Sequence, residues 1–217
     1  MFPGLNVRLG SLEATRLIIE AQLEGARAAE IDRQRQEHRF LGPKLHPDDR
    51  EADEFDLQQQ VMHLLPKALR GGFLITLWAV LERTTHDVAS VAMTLRGRVL
   101  DERAFHKPFF VAAADALGKA VGVQAFPDAA VEQKLRLLQA VRHALVHHDG
   151  RQAELPAPYT FMSAAELEGM GLYLVRDYDY AYVIPAENYI KDATELVYNY
   201  VHSTADRVFN ALIPNDA

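Results

Sequence analysis

The chain has 217 residues, of which 49% are hydrophobic and 24% charged, enough for a globular fold with a substantial core. Acidic side chains number 30 and basic ones 23, for a net charge of -7. That balance excludes broad duplex binding through a basic surface but leaves room for a local phosphate site. There are no cysteines, which excludes disulfides and thiolate metal sites.

Met1 to Leu12 lacks the long apolar core and small-residue cleavage site of a secretory signal. Residues 11 to 40 read as one long helix, with Leu12, Leu17, Ile18, Ala21, Leu23, Ala28 and Ile31 as its apolar stripe. Gly42-Pro43 and Pro47-Asp48 break the pattern, so residues 41 to 50 read as a connection. A second helical region runs from about Glu51 to Leu95. Pro66 interrupts it and Gly71-Gly72 loosens it. Gly71 to Leu81 is the longest apolar run. It is closed by Glu82 and Arg83, reads as too short for a bilayer span, and suits the centre of a bundle, with Trp78 in the core. The expectation is a soluble, cytoplasmic protein with no membrane partner.

A third helix is predicted over Glu102 to Val121, closed by Gly122. Pro127-Asp128 opens a fourth, which runs to His147 or His148 with Val131, Leu135, Leu138, Val141 and Leu145 at helical spacing. Gly150 is its terminator. Residues 151 to 168 read as a loop. Gly171 to Val175 and Tyr180 to Ile184 then read as the strands of a β-hairpin. Pro185 opens a last helix through about Leu212, with Ile190, Thr194, Val197, Val201, Ala205 and Val208 on one stripe. The expected fold is mainly α, a helical bundle with a short β-hairpin before the last helix. It reads as a single domain over residues 1–217, with residues 1–50 as a helical addition.

The chemistry concentrates in Arg142-His143-Ala144-Leu145-Val146-His147-His148-Asp149-Gly150. Arginine holds phosphate through a rigid fork of donors, and histidine moves protons near neutral pH. Arginine–histidine spacing alone is weak, because Arg33 with His38, Arg39 with His46 and Arg136 with His143 also match. Arg142 is distinguished by its place near the end of an amphipathic helix. There a partly dry cleft strengthens an arginine–phosphate pair.

With these residues the chain resembles the HEPN superfamily, small helical proteins marked by an arginine, four to six residues, then a histidine. Arg142-His143-Ala144-Leu145-Val146-His147 fits with four intervening residues, including the polar position after the arginine. In organisation the resemblance covers roughly residues 60 to 212. It implies a metal-independent endoribonuclease, possibly a toxin or defence effector, working as a homodimer whose two motifs share one cleft. Arg142 would bind the scissile phosphate, and His147 would act as general base or acid, leaving a 2′,3′-cyclic phosphate. His143, His148 and Glu82 would support them, Glu82 by orienting Arg142. No cofactor or metal is implied. RNA and an antitoxin or other protein are the expected partners. On an ideal helix Arg142 and His147 lie about 140° apart, so a second subunit or a bent helix end is needed for them to converge.

Other readings compete. The helix dipole alone favours arginine and histidine at a helix C-terminus. A noncatalytic HEPN-like dimer that binds a protein or a nucleotide would carry the same residues. His143 and His147, four apart, also have metal-ligand spacing, with His148, Asp149 or a distant carboxylate to complete a site. The tyrosines around the hairpin (Tyr173, Tyr178, Tyr180, Tyr182) have Arg176 as their one interleaved cation. Hairpin packing is therefore their expected role rather than base stacking.

Overall fold

The computed structural model describes residues 5–41, 52, 58–99, 108–177 and 180–213. The expected connection at 41–50 and the start of the expected third helix lie outside them, apart from Leu41 itself. Among the described residues the fold is mainly helical, with six α-helices and one two-stranded antiparallel hairpin just before the last helix. The helices are α1 (Leu5–Leu41), α2 (Leu65–Leu95), α3 (Phe109–Val121), α4 (Ala129–His147), α5 (Ala164–Gly169) and α6 (Glu187–Leu212). The hairpin strands are β1 (Leu172–Asp177) and β2 (Tyr180–Pro185), in a register running from Leu172 opposite Pro185 to Asp177 opposite Tyr180.

Local chemistry explains several boundaries. Pro66 does not end the second helical region. A π-helical segment, Gln58–Leu64, leads directly into α2. Its wider turns lie where the proline ring and its missing N–H would disrupt a regular α-helix. Asp128 caps α4, its Oδ1 accepting from the Val131 N–H at 2.8 Å. At the end of α3, Gly122 adopts φ +72°, and its N–H donates to the Gly118 carbonyl at 2.9 Å. The short helix α5, inside the expected loop, is held by a reciprocal capping box. The Ser163 side chain accepts from the Glu166 N–H, and the Glu166 carboxylate accepts from the Ser163 N–H.

The chain divides into two compact units, one formed by residues 1–12, 75–140 and 192–217, the other by 13–74 and 141–191. In the first unit, Leu77, Trp78, Leu81, Leu135, Leu138, Val197, Val201 and Val208 are all buried. Trp78 meets Phe109 edge-on, with ring centroids 5.2 Å apart. In the second unit, Leu23, Phe73, Leu74, Val141, Ala144, Leu172, Val183 and Ile190 are buried. The stripe expected on α6 is buried throughout.

The stripe expected on α1 is only partly buried. Leu12 and Leu23 are buried, but Leu17, Ile18 and Ile31 are exposed. The inward face instead follows Leu9, Leu12, Arg16 and Leu23. It admits charge because Arg16 is neutralised by Glu13, 2.6 Å away. Glu20, on the second unit's part of α1, pairs with Arg70 at 2.6 Å and 2.9 Å. Arg70 is buried and also donates to the Pro185 carbonyl at 3.2 Å.

The helical stretch Val61–Leu95, longer than the Gly71–Leu81 run taken alone, is by length and composition long and apolar enough to cross a membrane. Within it Leu74, Leu77 and Leu81 are fully buried.

Candidate functional site

The Arg142–Gly150 segment forms the last turns of α4 and the turn after it, within the second unit. Val141 and Ala144 are buried and anchor the helix end, while His143 and His147 face outward. Four residues apart on one helix face, these two rings stand with centroids 4.7 Å apart. The chain leaves the helix at His148, which brings a third imidazole to 5.4 Å from His143 and 6.4 Å from His147. His148 Nδ1 lies 3.7 Å from Glu154 Oε2.

The turn itself is unusual. Asp149 has φ +53° and Gly150 φ +77°, two successive left-handed residues. The Gly150 N–H donates to the Ala144 carbonyl at 2.8 Å, closing the helix. A Cβ at Gly150 would stand 3.0 Å from the Val183 carbonyl oxygen, so glycine is required sterically as well as by φ. Asp149 is held by Lys67 of α2, whose Nζ lies 2.6 Å from Oδ1 and donates to the Asp149 carbonyl at 3.2 Å. The Val183 N–H donates to the Gly150 carbonyl at 2.7 Å, and Arg151 bridges Tyr182. The histidine turn is therefore stitched to strand β2.

Electrostatics distinguish the members. The His143 imidazole titrates below its ordinary value, chiefly through desolvation, then through the nearby His147, His148 and Arg142 charges, with Glu154 opposing. Arg142 is half-buried, and its Nε is buried with no hydrogen-bond partner among the described residues.

The turn therefore brings together His143, His147 and His148. Arg142 lies on the same final turns of α4, close enough for its charge to act on His143. Glu82 stands differently. It lies on α2 in the first unit and is exposed, so it lacks the desolvation that would demand a cationic partner. No group of three His, Asp or Glu side chains among the described residues is arranged to hold a metal ion, so the metal-ligand alternative does not gain a third donor here. Sequence reasoning missed Lys67, Arg151 and Glu154. Lys67 is remote in sequence, and only the turn conformation brings Arg151 and Glu154 beside the histidines. Asp149-Gly150 was the available signal, since aspartate and glycine tolerate the left-handed region that such a turn needs.

No family model, curated protein or solved structure matches the chain.

Proposed function

We propose that the C-terminal turn of α4 is the active site of a metal-independent endoribonuclease of HEPN type, in keeping with a toxin or defence role. The observation that carries this reading is the convergence of three imidazoles within 4.7 to 6.4 Å next in sequence to a half-buried guanidinium. Phosphodiester cleavage without a metal needs a base, an acid and a fixed cation, and this group contains candidates for all three.

In the proposed reaction Arg142 binds the scissile phosphate and stabilises charge on its non-bridging oxygens. His143, whose depressed pKa keeps it neutral at physiological pH, removes the proton from the ribose 2′-hydroxyl. The 2′-oxygen attacks phosphorus and the bond to the 5′-oxygen breaks. His147, as general acid, supplies a proton to that leaving oxygen, leaving a 2′,3′-cyclic phosphate and a 5′-hydroxyl. His148, beside Glu154, assists in placing the phosphate. Arg142 and His147 are about 140° apart around an ideal helix, so a second copy of the chain or a bend at the helix end brings them to one phosphate.

The test is cleavage of RNA in excess chelator by the wild type, Arg142→Ala and His147→Ala. The expected result is cyclic-phosphate ends from the wild type and a loss of about 10²-fold or more in each variant. Equal cleavage by all three proteins would refute the assignment. An inactive wild type would leave a noncatalytic binding module in its place.

A further inference from the structure

The hairpin carries a second cluster next to the histidine turn. Tyr180 and Tyr182 are two apart on β2, so they share one face of the strand, and their ring centroids are 6.3 Å apart. Each ring carries a cation. Arg151 Cζ lies 4.1 Å from the Tyr180 centroid and Lys67 Nζ lies 5.0 Å from that of Tyr182. These cations are absent from the local sequence of the hairpin. The fold supplies them from α2 and from the residue after Gly150.

The two cations are not equivalent. Lys67 is committed to Asp149, at 2.6 Å. Arg151 has no ion pair among the described residues, and its Nε is buried without a hydrogen-bond partner. Tyr180 is 49% exposed, so the ring is not consumed by packing. A half-open tyrosine ring with a guanidinium over it offers aromatic surface beside a fixed positive charge. Nucleobases stack on such rings, and the adjoining phosphate meets the charge. A base that is still paired and stacked in a duplex does not offer its face, so only an unpaired nucleotide fits.

We infer that Tyr180 and Arg151 form a stacking platform for one unpaired nucleotide of single-stranded RNA, adjacent to the scissile position. The backbone supports this placement. Arg151 follows His148 by three residues, its N–H donates to the His148 carbonyl at 3.0 Å, and its bridge to Tyr182 fixes the platform beside the imidazoles. The inference rests on the ribonuclease reading for the identity of the ligand, while its test reads binding rather than cleavage.

The probe is a fluorescent single-stranded RNA of about eight nucleotides with every ribose 2′-O-methylated, which blocks the proposed cleavage. Its anisotropy is followed with the full chain, against the same sequence as a duplex. The wild type should prefer the single strand. Tyr180→Ala should weaken binding about tenfold, the scale of one lost base stack, and Tyr180→Phe should restore it. Arg151→Ala should weaken binding and flatten its salt dependence by roughly one phosphate contact. Circular dichroism checks that the exposed substitution leaves the fold unchanged. Equal affinity of wild type and Tyr180→Ala, equal preference for duplex, or no binding at low salt would each overturn the platform. Platform-dependent binding with no cleavage of natural RNA would sink the nuclease reading alone. Cleavage dependent on Arg142 and His147, with Tyr180→Ala binding normally, would sink the platform alone.

Discussion

Arg70 and Glu20 provide the sharpest energetic test of the fold. Their side chains are 7% and 12% exposed, and two hydrogen bonds of 2.9 Å and 2.6 Å join them in a forked pair. Removing one member of such a pair leaves the other charge in a poorly solvated site, at a cost of roughly 3–5 kcal/mol. Glu20→Leu should fall in that range. Arg70→Met should cost about 1–2 kcal/mol more, because it also strips the Pro185 carbonyl of its donor. The double variant Glu20→Leu/Arg70→Met removes both charges and leaves only that carbonyl unpaired. It should lie within about 2 kcal/mol of the wild type and be more stable than either single change. For a chain of this length Glu20→Leu corresponds to a loss of roughly 6–20 °C in Tm and Arg70→Met to one of roughly 8–28 °C. Urea unfolding followed by circular dichroism at pH 7 measures all four proteins, with stability read from midpoints at unchanged slope. If the double variant is as unstable as the sum of the singles, or if each single costs under about 1 kcal/mol, the pair is not the buried, mutually dependent contact described here.

Three further predictions follow from the same structure. Gly150→Ala should destabilise by about 2 kcal/mol, because its φ of +77° disfavours a Cβ that would also stand 3.0 Å from the Val183 carbonyl; wild-type stability would refute the turn geometry. His143 titrates below its ordinary value, so its stabilising effect is present above about pH 6.5 and lost as pH falls through its folded-state pKa. Histidine ring resonances should show this midpoint directly, and a His143 midpoint at or above about 6.5 would contradict the desolvation argument. Burial pushes the Tyr200 phenol up to about 12, so its contribution is full below about pH 10 and lost as pH rises toward 12. Urea unfolding at pH 9 and 11 should show that Tyr200→Phe abolishes about 1 kcal/mol of the alkaline loss, and an identical loss in both proteins would exclude Tyr200 as a source.

Periodicity made much of the fold legible. The burial of Leu135, Leu138 and Val141 on α4, and of Ile190 through Val208 on α6, follows from apolar residues recurring at helical spacing. The hairpin was legible because aromatic and β-branched residues cluster between turn signals. Two of the misread features of the fold have identifiable reasons. On α1 the inward face includes Arg16, which a hydrophobic count discards although Glu13 neutralises it. The helix at Ala164–Gly169 is too short for a periodic signal, yet Ser163 and Glu166 already spelled its capping box. At the candidate site, the sequence identified the histidines by proximity along the chain. The contacts of Lys67 with Asp149 and Tyr182, and of Arg151 with Tyr180, are tertiary and have no local signature. This is why the tyrosines read as simple packing until the cations came into view.

The double stitching of the histidine turn has a consequence for how a ligand would be met. Helix ends ordinarily fray, and a ligand that binds a frayed end must first order it. Here Lys67 holds Asp149 from one side, while the Gly150 carbonyl is hydrogen-bonded to Val183 on the other. The entropy of fixing the last turn of α4 is therefore met when the chain folds, not when a ligand arrives. His147 and His148 stand on a preorganised backbone, with only their side-chain torsions left to set.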